Sequence, residues 1–205
     1  MNVLSHEEAV AALRRGDVVA VPTDTVYGVA ARLLDAAAVR RLFEVKRRPA
    51  EVALPVLIES LHSLAALEVD WSEQARALAT AFWPGPLTIV VGTTAATAAR
   101  VGATHTLGVR RPRHPQLAAL IAECGPLAVT SANEHGRPPC TNADAVRAVA
   151  WGARVAGVLD GGECDGAVSS VVELTASGWR LRRRGAVSPD AIAAILGPEA
   201  RGDDH

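Results

Sequence analysis

Several things are scarce in this 205-residue sequence, and each scarcity excludes something. Aromatic residues are only 3% of the chain, so its core has to be built from small and branched aliphatic side chains. The three cysteines, Cys124, Cys140 and Cys164, are odd in number and show no C-x-x-C spacing. That excludes a disulfide framework and indicates a reduced compartment. No apolar run approaches the roughly 20 residues needed to cross a bilayer. The opening MNVLSHEEAV lacks a basic segment followed by an apolar one, so no signal peptide is expected. A formal net charge of −1 withholds the basic excess that a general nucleic-acid binder carries.

Familiar site signatures are missing too. There is no GxxxxGK[ST] and no GxGxxG after a strand, which removes a P-loop and a dinucleotide-binding fingerprint. There is no HExxH, and Ser131 is not in a GxSxG elbow. His105, His114 and His135 have no ligand-like spacing, so no metal-ligating residues are expected.

What remains is the balance of a soluble globular protein, 49% hydrophobic and 21% charged, of a length that suits one domain. Ser5-His6-Glu7-Glu8 has the capping-box pattern and predicts a helix that Gly16 ends. Further helices are expected from Asp35 to about Arg47, Ser72 to Phe82, Pro115 to about Glu123, Asn142 to Ala150, and from Ser188-Pro189 onward. Strands are expected over Asp17–Val21, Leu54–Ile58, Leu87–Val91, Leu107–Arg110, Leu127–Thr130, Val155–Leu159, Ser170–Leu174 and Trp179–Arg183. Residues between Pro22 and Asp35 read as a polar loop. This interleaving predicts an α/β single domain with a twisted mixed sheet flanked by helices, over residues 1–196, and a disordered tail over 197–205.

Polar residues cluster at strand ends, where α/β folds place ligands. Lys46 is the only lysine among 21 basic residues, which suggests a site needing a compact ammonium rather than a planar guanidinium; a solvated helix end would explain it equally well. Nine of the 21 basic residues fall in three clumps, Lys46-Arg47-Arg48, Arg110-Arg111 with Arg113, and Arg182-Arg183-Arg184. Together they suit a polyanion such as a triphosphate. Strand alternation sends the middle Arg of the last clump away from its neighbours. Asp160-Gly161-Gly162 and Asp165-Gly166 read as turns.

Six segments in order resemble the YrdC-type L-threonylcarbamoyladenylate synthase family. They are PTDTVYG at Pro22–Gly28, K-x-R-P at Lys46–Pro49, WPGPLT at Trp83–Thr88, VRRPRHP at Val109–Pro115, TSAN at Thr130–Asn133 and R-x-G at Arg183–Gly185. The resemblance implies the family's mostly parallel sheet around a large concave pocket. It also implies a nucleotidyltransferase that forms threonylcarbamoyl-AMP and pyrophosphate from L-threonine, bicarbonate and ATP. The product goes to a tRNA threonylcarbamoyl-transfer complex in the cytoplasm, with Mg2+ carried on the ATP phosphates and no membrane involved. Weak direct RNA binding is a further expectation. Carried over position by position, Lys46, Arg48, Ser131 and Asn133 form the catalytic set, expected on a solvated pocket wall. Thr25, Arg110 and Ser169 match threonine-binding positions, with Arg110 as carboxylate partner. Arg48, Thr106, Ser131 and Arg183 match ATP-binding positions.

The chain departs from the family pattern in four places, one of them the stretch between Glu134 and Cys140, which is looser than the usual SANLSG. Arg47 stands where the family usually has Gly, Val52 where it often has Asn, and Ser169-Ser170-Val171-Val172 replaces STVV. Two alternatives stay open on the sequence: a same-fold paralogue acting on another amine, and a non-catalytic RNA-binding module.

Overall fold

The computed structural model describes residues 1–47, 52–133, 137–151 and 155–200. Among them, ten strands form one sheet: β1 (Val3–Leu4), β2 (Val18–Val21), β3 (Gly28–Arg32), β4 (Val56–Leu57), β5 (Leu87–Gly92), β6 (Thr106–Arg110), β7 (Leu127–Ser131), β8 (Val155–Leu159), β9 (Ser170–Thr175) and β10 (Gly178–Arg183). Their spatial order is β1-β8-β2-β3-β7-β4-β6-β5-β9-β10. The helices are α1 (His6–Arg14), α2 (Ala36–Lys46), α3 (Glu73–Phe82), α4 (Ala95–Arg100), α5 (Pro115–Cys124), α6 (Ala143–Ala148) and α7 (Pro189–Leu196).

The α/β class and the mixed sheet are as expected, but the mix is more even than "mostly parallel". Four neighbour pairings are parallel, β1/β8, β8/β2, β4/β6 and β5/β9. The other five are antiparallel. Short links account for two of these five: Ala176-Ser177 joins β9 to β10 and residues 22–27 join β2 to β3, too few for a parallel crossover. β1, β3 and α4 were not anticipated. β3 occupies the stretch read as loop.

Sequence chemistry starts and stops the helices. Ser5 and Glu8 make both bonds of the capping box, Glu8 N–H to Ser5 Oγ at 3.2 Å and Ser5 N–H to Glu8 Oε2 at 2.8 Å. Asp35 Oδ1 accepts from the amides of Ala37 and Ala38 at the start of α2. Asn142 and Ser188 cap α6 and α7 through the amides of Ala145 and Ala191.

The continuous apolar run of β2 exists because both of its faces are covered. Val18 and Ala20 join a core with Leu42 of α2, Leu78 of α3, Val146 of α6 and Ile192 of α7. Val19 and Val21 point the other way, into a second core with Leu13 of α1 and Leu117, Leu120 and Ile121 of α5. Among the described residues this second core takes nothing from β5, β6 or β9. The α1/α5 layer thus covers one part of its sheet face, and the site lies where that cover stops.

The start of the expected tail is tied down. Ala200 N–H donates to Trp179 O at 3.0 Å, and Leu181 N–H donates to Glu199 Oε1 at 2.6 Å. Residues 201–205 lie outside the described residues.

Candidate active site

A part-open cavity of about 150 Å³ lies on that uncovered face, lined by residues of β3 to β7, by the loop ahead of β3, by Ser169 just before β9 and by Arg183 at the end of β10. In an apolar setting a cavity near that volume takes up a benzene-sized molecule. There is room here for a small amino acid, and a nucleotide has to extend out of it.

Arg110, at the end of β6, is the central cation. It is 6% exposed, and its guanidinium donates to Gly85 O and Thr25 Oγ1, each at 3.0 Å, and to Asp24 Oδ1 at 2.6 Å. Burial pulls its pKa below the ordinary guanidinium value; Asp24 opposes this, and the charge of Arg183 adds to it. Thr23 Oγ1 gives its proton to Val26 O at 2.7 Å, so the 2.9 Å contact between Thr23 and Thr25 has Thr25 as donor. A chain of hydrogen bonds therefore runs from Arg110 through Thr25 and Thr23 back to the main chain. This is why a hydroxyl-rich turn follows β2.

Ser169 is buried just before β9. Its Oγ lies 3.0 Å from Thr88 Oγ1 and accepts from Arg183 Nη2 at 2.8 Å, while Arg183 Nε donates to Ser169 O at 3.0 Å. Arg182 turns away to Glu173, so the alternation expected of the arginine triplet is present. Gly185 makes the approach possible: a Cβ there would sit 2.4 Å from Val168 O and from Ser169 C. Gly85 likewise lets the WPGPLT turn lie against the end of α3, where a Cβ would come within 2.4 Å of Phe82 O.

Lys46 corrects an expectation. It is not on a solvated wall but 8% exposed, and its ammonium donates to Ser131 O at 2.8 Å, to Asn133 O at 2.6 Å and to Asn133 Oδ1. Ser131 Oγ also donates to Asn133 Oδ1, at 2.7 Å. The lone lysine ties down the turn after β7, a task needing three divergent donors rather than a planar fork. Arg48 lies outside the described residues.

Strand registers set the distances between these groups. Leu57 pairs with both Arg110 and Leu127, so Arg110 and Leu127 stand at one level on one face. Thr106 precedes Arg110 by four residues, and Ser131 follows Leu127 by four, each a shift of roughly 13 Å along its strand on that same face. Thr106 is outside the cavity lining but level with Ser131. The site thus has two poles. One consists of Arg110, Thr25, Thr88, Ser169 and Arg183; the other of Ser131, Asn133 and Lys46, with Thr106 opposite.

Asp24 and Thr88 were missed at the sequence level. Asp24 stood inside the PTDTVYG segment, and Thr88 was the single hydroxyl in the apolar run Leu87–Val91, a signal that was available. Tyr27 is a fastening, not a reactant. Its hydroxyl donates to Gly162 O at 2.9 Å and accepts from Gly161 N–H at 3.0 Å, which locks the Asp160-Gly161-Gly162 turn onto the motif loop.

Comparisons with known proteins give the chain's relatives. The family model for Sua5, YciO and YrdC proteins, described as Telomere recombination, matches residues 11–185. The threonylcarbamoyl-AMP synthase of Bacillus subtilis (strain 168) is 39% identical over 195 residues, 93% of this chain and 56% of that protein. The synthase of Xanthomonas euvesicatoria pv. vesicatoria (strain 85-10) is 40% identical over 164 residues, 78% of this chain and 87% of that one. A crystal structure of P. abyssi Sua5 complexed with L-threonine has a TM-score of 0.88 at 36% identity, covering 98% of this chain and 60% of the other. With the match running through nearly all of its elements, the chain belongs to the Sua5/YciO/YrdC family.

Proposed function

We propose that this chain is an L-threonylcarbamoyladenylate synthase, using L-threonine, bicarbonate and ATP. The observation that carries this reading is the pair of poles on one sheet face. At the first, Arg110 is paired with Asp24 while Arg183 bonds to Ser169 and lines the same cavity, so among the described residues the pole has a surplus positive charge for an α-carboxylate. The second pole, four strand residues away, takes the nucleotide along Ser131 and Thr106, with Arg183 reaching from the first toward the phosphates.

Between them, the threonine amine and bicarbonate condense to a carbamate with loss of water. A carbamate oxygen attacks the α-phosphorus of ATP, a P–O bond to the β-phosphate breaks, and pyrophosphate leaves. Positioning and charge stabilisation suffice for this, without a protein nucleophile. Lys46 holds the Ser131–Asn133 turn in place for it, and Arg48 is assigned to the phosphates. The cavity lining offers hydroxyl oxygens but no carboxylate, a donor set suited to Mg2+ already carried by phosphate oxygens and water. A cytoplasmic tRNA threonylcarbamoyl-transfer complex is the consumer this reading assigns to the product.

The test is pyrophosphate release from ATP, with L-threonine and bicarbonate omitted in turn. Release that needs both supports the synthase. Release with a different amine makes the chain a sister enzyme, and ATP-independent RNA binding with no release makes it a binding module.

A further inference from the structure

Two arginines of the clump after β6 have no part in the reaction described so far. Arg111 and Arg113 border a separate cavity of about 200 Å³, together with Glu59, which lies two residues beyond β4. Its walls are Pro84, Pro112 and Pro115, with Ala118 from the start of α5. It shares no lining residue with the cavity around Arg110. A cavity of roughly 150 Å³ admits benzene, so this one has room for a small organic ion.

Arg111 and Glu59 are partly buried, and among the described residues neither side chain makes an ion pair or a hydrogen bond. Elsewhere the opposite charges close on each other, Arg110 on Asp24 and Arg182 on Glu173. Charges removed from water are costly when unpaired, and here both signs stand unpaired around one space. Arg113 Nε donates to Pro84 O at 3.1 Å, and its two terminal nitrogens have no partner among the described residues. Three prolines with fixed φ make the surround stiff, so the groups are held ready rather than gathered at a cost on binding.

The lining therefore offers two guanidiniums, one carboxylate and a hydrocarbon wall, next to the positive end of the ten-residue helix α5. A simple anion would satisfy the arginines and be repelled by Glu59. A simple cation would meet the reverse. A molecule with a carboxylate and an ammonium on one carbon satisfies all three groups.

We propose that this cavity is a second amino-acid site, taking a small zwitterionic α-amino acid. The carboxylate lies between Arg111 and Arg113, the ammonium on Glu59, and the side chain against the prolines and Ala118. The Trp83–Pro86 turn separates this site from the first pole and touches both: Gly85 O accepts from Arg110 Nε at 3.0 Å, and Gly85 N–H donates to Arg111 O at 2.9 Å. With no hydroxyl in its lining and no wall in common with the catalytic cavity, it is a place to bind and not a second reaction centre.

The proposal does not rest on the synthase reading, and binding alone tests it. Calorimetry compares the wild-type chain with Glu59→Gln and Arg111→Ala, using glycine, L-alanine and L-serine as ligands. Propionate and inorganic phosphate, which lack the ammonium, and L-alaninamide, which lacks the carboxylate, are the controls. Neither replaced side chain has a bond in the fold, so unchanged thermal midpoints are expected in both variants. The wild-type chain is expected to bind at least one of the three amino acids, and each control about 10-fold more weakly or worse. Each variant is expected to lose about 10-fold or more in amino-acid affinity, the usual worth of a hydrogen bond to a charged group. Propionate or phosphate binding as tightly as the amino acids would make this a plain anion site and overturn the proposal. Unchanged affinity in either variant, or no binding of any of the three, would overturn it too. Pyrophosphate release, present or absent, bears on the synthase reading only.

Discussion

Arg110 shows how a residue assigned to a ligand also belongs to the fold. Its charge is buried against Asp24, with side chains 7% and 11% exposed, so truncating it does more than raise the threonine requirement. It leaves an unpaired carboxylate out of water, which costs about 3–5 kcal/mol. Urea unfolding of Arg110→Ala is expected to show that loss, and adding Asp24→Ala to restore at least about 1 kcal/mol of it. Strict additivity of the two single changes would mean the pair is not coupled. Tyr27 makes a second residue-level prediction. Burial pushes its pKa up to about 12, with the Asp160 charge adding to the rise. The folded state therefore holds a proton that the unfolded chain sheds near pH 10. The corresponding stability is complete below pH 10 and is lost between pH 10 and about 12, a change on the order of 2–3 kcal/mol. Burial also raises the thiols of Cys124, Cys140 and Cys164, which steepens the alkaline fall. Tyr27→Phe should remove the tyrosine share of the slope and leave the cysteine share, as read from denaturation midpoints at stepped pH.

At the scale of elements, α2 and its exit explain one departure from the family pattern. The helix ends at Arg47 with φ 49° and ψ 39°, the left-handed conformation that glycine adopts without a Cβ penalty. A position in this conformation favours the family's Gly for a backbone reason, and an arginine there carries roughly 1–2 kcal/mol of strain. Arg47→Gly is expected to stabilise the chain by about 0.5–1 kcal/mol, after the greater freedom of glycine in the unfolded chain is subtracted. Thermal unfolding checks this, and an unchanged or lower midpoint would show that the Arg47 side chain offsets its own strain. The capped helices were legible because a cap is a local hydrogen bond between residues three apart. β3 was not legible: Gly28-Val29-Ala30-Ala31-Arg32 has little intrinsic strand preference and no alternation. It is a strand because β2 and β7 lie on either side and leave its backbone groups no other partners.

For the whole molecule, the site is a property of how the sheet face is shared. α1 and α5 bury one part of it, and the strands beyond them stay open to a ligand. Filling that cavity with its substrate adds contacts available only in the folded state. L-threonine at about 100 times its dissociation constant is therefore expected to add about 2.7 kcal/mol, or roughly 5–10 °C in Tm for a chain of this size. L-alanine at equal concentration serves as the control. A threonine shift no larger than the alanine shift would remove the amino acid from this cavity.

Taken by itself, the sequence determined the α/β class, most element positions, the helix caps and the identity of the motif segments, because periodicity, capping and turn chemistry act over a few residues. Through the family resemblance of its motifs it also pointed to Thr25, Lys46, Arg48, Thr106, Arg110, Ser131, Asn133, Ser169 and Arg183 as residues of one site. The tertiary structure alone decided what those among its described residues face. It buried Lys46 under the turn after β7, engaged Arg110 with Asp24, and brought Thr88 and Leu57 to either side of that arginine from strands 31 residue positions apart. Pairings between strands so distant in the chain depend on register and layer order. These are set when whole faces are buried together, and no local stretch of sequence carries that information.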